Sequence, residues 1–114
     1  AKPKVKVNDN RIQKVLSHIR KNIYKTVDID SLAAISCLSK DHFIRLFKKE
    51  VGTTPLQYIN QKKIEKAQLI LITEDIPVKN IAYLLAYEDH SYFNRLFKKI
   101  TDVTPQQYRE LYKK

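Results

Sequence analysis

One stretch of this chain occurs twice. Residues 43–58 (FIRLFKKEVGTTPLQY) align without gaps on residues 93–108 (FNRLFKKITDVTPQQY), 50 residues later, and ten of the 16 positions are identical. Upstream, Leu32 and Ala33 match Ile81 and Ala82 at an offset of 49, so the second copy carries one extra residue in its turn. Whatever this chain folds into must therefore build nearly the same small module twice.

Each copy reads as helical. Ile12, Leu16, Ile19 and Ile23 recur at helical spacing, with Arg11, Lys14, Ser17, Arg20 and Lys21 opposite, which predicts a first helix over about 9–23. Asp28 is placed to cap a short helix with Ile29, Leu32, Ala33 and Ile35 or Ser36 inward, and the chain then turns at residues 37–39. Ser39 caps the next helix, whose inward stripe is Phe43, Leu46 and Phe47, with Gly52 where a left-handed C-cap is wanted. Thr54 and Pro55 open a long helix, and Gln57 is placed to close a capping box. That helix, expected over 55–72, carries Tyr58, Ile59, Ile64, Ala67, Leu71 and Ile72 and would span about 27 Å. Residues 69–72 continue its pattern without a turn signal, so they are read as helix and not strand. The chain breaks at 73–77, and Pro77 looks like another first helical position. In the second copy Phe93, Leu96, Phe97 and Ile100 are expected inward. The fold class is all-α: two helical modules over 10–53 and 73–114, joined by a long linker helix over 54–72. Residues 1–9 precede them as a basic arm, in which the alternating Lys and Pro3 leave no core face.

Composition excludes several chemistries. A chain of 114 residues buries about 65% of its unfolded surface, enough for a modest core. A single Gly removes every phosphate cradle built from Gly-rich loops. A lone Cys37 forms no internal disulfide, and without spaced Cys/His sets there is no zinc framework. It reads as a small buried apolar residue in the first turn. The longest apolar run, 81–87, is far too short to span a membrane, and no leader opens the chain. A soluble, cytoplasmic protein is expected. The missing initiator Met suggests a segment of a longer one. No Ser/His/Asp, Cys/His or paired-carboxylate cluster exceeds chance spacing, so we expect no enzyme, cofactor or metal. His18 and His42 are expected to have no task. Lys and Arg number 22 against 12 Asp and Glu, a net charge of +10 that draws polyanions.

The repeat narrows the choice of polyanion. A short helix, a tight turn and a second helix make a helix-turn-helix, whose second helix enters the DNA major groove while the first braces it. The outward positions are Lys40, Asp41, Ile44, Arg45 and Lys48 in one copy and His90, Ser91, Asn94, Arg95 and Lys98 in the other. Arg45 and Arg95 are equivalent, and a guanidinium fork makes paired hydrogen bonds to guanine. Asn94 suits adenine and Asp41 suits cytosine. Lys48, Lys49, Lys98 and Lys99, near the helix ends, suit phosphates. Plainer roles stand beside these. Arg45 and Arg95 could pair with Asp41, Glu88 or Asp89; His90 could be a water-facing helix start; Asp41 could complement a helix N-terminus. Tyr58 and Tyr108 are expected to pack. A linker of about 27 Å plus its turns matches the roughly 34 Å between successive major grooves, so one monomer could read two.

Residues 81–82, 89–99 (DHSYFNRLFKK) and 104–109 (TPQQYR) closely resemble the signature of the AraC/XylS transcription regulators, and the first copy resembles that family's weaker version. The likeness covers about residues 10–112. It implies a seven-helix domain with two helix-turn-helix units on promoter DNA, usually the C-terminal half of a longer regulator. An effector or dimerisation domain would then lie upstream, RNA polymerase would be a partner, and the fragment itself would be a monomer. Carried across, the family pattern puts base readout at Asp41, Ile44 and Arg45 and at His90, Ser91, Asn94 and Arg95; Lys40, Lys48, Lys49, Lys98 and Lys99 are then expected on phosphates. Two positions depart from it. Ala86 and Tyr87 stand where the family has Gly-Phe, and Asp102 stands where it has Gly. The competing reading is a basic helical module docking on a protein or an anionic membrane surface.

Overall fold

The computed structural model describes residues 7–114. They form seven α-helices: α1 (Asn10–Lys21), α2 (Ile29–Ser36), α3 (Lys40–Val51), α4 (Pro55–Thr73), α5 (Val78–Leu84), α6 (His90–Thr101) and α7 (Pro105–Tyr112). Among the described residues there is no strand, as the all-α reading requires. Residues 1–6 of the expected basic arm lie outside the described residues. Val7, expected without a core face, instead packs against the first core, and its carbonyl accepts from Gln13 Nε2 at 2.6 Å.

The chain divides into two compact units. Of the described residues, the first takes 7–23 and Val27–Asn60. Its core joins Ile12, Val15, Leu16 and Ile19 of α1 to Leu32 and Ala33 of α2, Phe43 and Phe47 of α3, and Ile59 of α4. The second takes Tyr24–Thr26 and Gln61–Lys114. There Ile64, Ala67, Ile70 and Leu71 of α4 meet Ile81, Ala82, Leu85, Phe93 and Phe97. The two ends of α4 thus serve different cores. Each buried Phe, Leu or Ile contributes about 1.5–3 kcal/mol by leaving water, so these clusters dominate the stability of each unit.

Local chemistry sets the helix ends. Asp9 accepts from the N–H groups of Arg11 and Ile12 at the start of α1. The bond from the Arg11 guanidinium and these N–H groups hold its carboxyl down at about 2. Asp28 caps α2 through Ser31 at 2.8 Å, Ser39 caps α3 through His42 at 3.3 Å, and Asp89 caps α6 through Ser91 at 2.8 Å. Thr54 with Gln57, and Thr104 with Gln107, each exchange two bonds as capping boxes. Behind these boxes Tyr58 and Tyr108 pack edge-on against Phe47 and Phe97, at 5.7 and 5.6 Å between ring centres. From α7, Arg109 donates to the carbonyls of Leu71 and Glu74, and Lys113, just past the helix, donates to the carbonyl of Glu74 and to the Asp75 carboxylate. Three of these bonds go to carbonyls at the C-terminal end of α4, where orphan carbonyls attract cations, and the fourth is an ion pair with a carboxylate just beyond it.

Two inward assignments change, and two buried residues are added. Cys37 is exposed and not buried; it sits past the end of α2 with a left-handed φ of 59°, which carries the residue out of the helix line. Ile100 is 42% exposed because α6 runs on past its core at Phe97; its counterpart in the first copy is the charged Glu50. Val15 and Ile70, absent from the inward stripes read from the sequence, are buried.

Candidate nucleic-acid interface

In each unit a helix-turn-helix is built from the same parts. The first uses α2, the turn Cys37–Leu38–Ser39 and α3; the second uses α5, the turn Ala86–Tyr87–Glu88–Asp89 and α6. Both turns open on a left-handed residue, Cys37 at 59° and Ala86 at 66°. In both, the next N–H reaches back across the helix end, Leu38 to the Ala33 carbonyl at 3.2 Å and Tyr87 to the Ala82 carbonyl at 3.0 Å. That pair of features is the Schellman-type stop, usually made with Gly. The turns differ by the one extra residue seen in the repeat.

The second helix of each unit is two-sided. Phe43 and Phe47 on α3, like Phe93 and Phe97 on α6, are fully buried, with ring centres 5.8 and 6.0 Å apart. On α3 the side chains of Lys40, Asp41, Arg45, Lys48 and Lys49 are exposed, while Ile44 is half-buried and packs on the first core. On α6 Ser91, Arg95, Lys98 and Lys99 are exposed, and His90 and Asn94 are half-buried. Each set is brought together on one helix within its own unit.

Several of the plainer alternatives can be checked on this geometry. Among the described residues neither Arg45 nor Arg95 has an ion-pair partner. Asp89 is occupied as the α6 cap. Lys40, by contrast, lies 3.7 Å from Asp30 in an exposed pair, an arrangement worth little in water and easily exchanged for another anion. Asn94 Oδ1 is shielded from solvent and accepts no hydrogen bond among the described residues, so an amide near the middle of α6 keeps an unused acceptor. Lys48 and Lys49 occupy the last turn of α3, and Lys98 and Lys99 the last turn of α6. Among the described residues no group of His, Cys, Asp and Glu can hold a metal ion, and no helix is long and apolar enough to cross a membrane.

Two residues that the sequence reading passed over stand beside this surface. Tyr83 of α5 is 47% exposed and meets the His90 ring edge-on at 6.5 Å, so His90 is braced at the start of α6. Lys63 of α4 is buried, with its ammonium bonded to backbone carbonyls. The periodicity that places Ile59 and Ala67 inward also places residue 63 inward, midway between them. Its charge hid that signal.

Comparison with known proteins places this geometry. The profile of a helix-turn-helix domain family matches residues 32–111. The MmsAB operon regulatory protein of Pseudomonas aeruginosa is 34% identical over 94 residues, 82% of this chain and 31% of that protein. The arabinose operon regulatory protein of Escherichia coli is 30% identical over 102 residues, 89% of this chain and 35% of that one. This chain thus spans about a third of the length of these curated relatives. Among solved structures, the C-terminal domain of AraT, a response regulator from Geobacillus stearothermophilus, superposes with a TM-score of 0.88 at 25% identity, covering 93% of this chain and 88% of that one. With two helix-turn-helix units in the order expected from the repeat, the chain belongs to the AraC/XylS family of helix-turn-helix transcription regulators.

Proposed function

We propose that the chain binds double-stranded promoter DNA sequence-specifically, with α3 and α6 each entering one of two adjacent major grooves. The observation that carries this is the paired two-sidedness of α3 and α6. Equivalent helices bury equivalent Phe pairs and hold equivalent arginines in solvent, neither with an ion-pair partner among the described residues. Asp41, Ile44 and Arg45 are the proposed readers on α3, and His90, Ser91, Asn94 and Arg95 those on α6. Lys40, Lys48, Lys49, Lys98 and Lys99 are the proposed phosphate contacts. In this reading residues 54–72 link two modules, the fragment acts as a monomer in the cytoplasm, RNA polymerase is its protein partner, and its work is binding and not catalysis.

Selection of bound sites from a random duplex pool by the purified chain tests the proposal. Two enriched motifs about 10 bp apart are expected, one per recognition helix. Enrichment of a single motif would remove one module from the reading, and no enrichment would remove both. Anionic vesicles that compete for the chain as well as selected DNA would transfer the surface to the docking reading.

A further inference from the structure

Lys63 is only 5% exposed, inside the second unit. Its Nζ donates to the Leu85 carbonyl at 2.6 Å and to the Lys25 carbonyl at 2.9 Å, and lies 5.8 Å from the centre of the Tyr87 ring. Leu85 caps the C-terminal end of α5, Ala86 is the left-handed residue, and Tyr87 leads toward α6, with its ring 5.4 Å from Phe93 and 6.1 Å from Tyr92. One ammonium therefore meets the residues on either side of the left-handed Ala86, where the turn between α5 and α6 begins. Burial is costly for a charge, and an apolar side chain of similar volume would fill this place without that cost.

Among the described residues the first unit buries no such group. Ile12, Val15 and Ile19 of α1, buried in the first core, share the spacing of Ile64, Ala67 and Leu71 of α4, buried in the second, and by that spacing Arg11 corresponds to Lys63. Arg11 is exposed and bonded to Asp9. The difference falls where the turns differ. From the left-handed residue to the cap of the recognition helix the chain runs 37–39 in the first unit and 86–89 in the second. A turn one residue longer has more paths open to it, and extra freedom in the turn becomes uncertainty in the direction of the helix that follows.

We propose that Lys63 is a positioning residue for DNA readout: by holding the Leu85 carbonyl and lying against Tyr87, it fixes the path from α5 into α6 and so the aim of His90, Ser91, Asn94 and Arg95. This rests on α6 reading DNA. The test compares the chain with Lys63→Met and Lys63→Arg on the duplex selected by the native chain and on random duplex. Lys63→Met is expected to lower the ratio of the two affinities about tenfold, with the loss confined to the bases of one motif. Affinity for random duplex should stay within about twofold, since the phosphate contacts remain. Lys63→Arg, which keeps a cationic donor, is expected to restore most of the ratio. A Lys63→Met chain that melts earlier yet keeps its ratio, or loses equally at both motifs, would overturn the proposal in favour of a purely structural lysine. Should Lys63→Met not fold, Lys63→Gln, which keeps an N–H donor without charge, is judged by the same outcomes. Amide shifts of residues 86–95 separate the two readings. If no duplex is selected, DNA readout fails by itself. If those amides stay in place in the Met or Gln variant, positioning fails as well.

Discussion

Arg45 and Arg95 occupy the same place in the two copies, both exposed and both without an ion-pair partner among the described residues. A guanidinium that reads a base is lost together with its discrimination, whereas one that holds a phosphate is lost equally on every sequence. Arg45→Ala and Arg95→Ala are each expected to weaken the selected duplex by about 1–3 kcal/mol and to relax preference at one base pair. Titration against duplexes varied at single positions measures this, and equal losses on random DNA would move the residue to the phosphate class. Ala86 raises a different question, because its φ of 66° puts a Cβ in the left-handed region. Relief of that strain makes Ala86→Gly stabilising by about 1 kcal/mol in denaturant unfolding, less the added freedom of the unfolded chain. Gly52→Ala should show the opposite sign: its Cβ would meet nothing within 4 Å, so the φ of 94° alone sets the cost. At Lys63, burial pulls the ammonium down to about 8 from an ordinary 10.5. Between these pH values the unfolded chain binds more protons than the folded one at this residue, so stability rises with pH across that window. The native chain should therefore gain on Lys63→Met as pH climbs from 8 toward 10.5, and a constant gap would show that Lys63 does not titrate there.

At the scale of elements, helix ends and helix faces differ in what they contribute. Thr104→Ala opens one capping box and is expected to cost about 1 kcal/mol. Phe93→Ala removes a ring from the second core and is expected to cost about 3–5 kcal/mol, a large share of the stability of a unit this small. Thermal melts of both variants check the ranking; a cap loss equal to the core loss would contradict it. Both features were legible in the sequence for physical reasons. A Thr-Pro-X-Gln start announces its own bonds, and Phe at i and i+4 announces a buried face. The boundaries of burial were less legible. Ile100 continues the apolar spacing after the core has ended, and Cys37 is apolar but stands past a helix stop where the backbone turns outward. Lys63 errs the other way, a charged residue on an inward stripe whose donors are used by carbonyls distant in sequence. Within the candidate interface, the equivalence of the two arginines was legible from the repeat. The anchoring of Ile44 on the first core, the Lys40–Asp30 pair and the Tyr83–His90 contact depend on which helices meet, and no spacing rule supplies that.

For the molecule as a whole, charge and sequence preference have separate origins. The net charge of +10 draws any polyanion, and alone it would make a protein that binds all DNA alike. Preference needs groups held at fixed places, which the two buried Phe pairs provide by anchoring α3 and α6. The two contributions respond differently to salt. If the lysines of α3 and α6 with their neighbours neutralise about six to eight phosphates, the logarithm of the binding constant should fall against the logarithm of salt concentration with a slope of roughly −5 to −7. Lys98→Ala should reduce that slope by about 1 and weaken selected and random duplex alike, because a phosphate contact carries no sequence information. Arg95→Ala should instead change the ratio of selected to random binding, as a base reader must. Salt titrations of the native chain and these two variants on both duplexes therefore test the division of labour directly. A nearly flat native slope would deny the phosphate contacts. Identical behaviour of the two variants would leave α6 as a basic surface with no reading face.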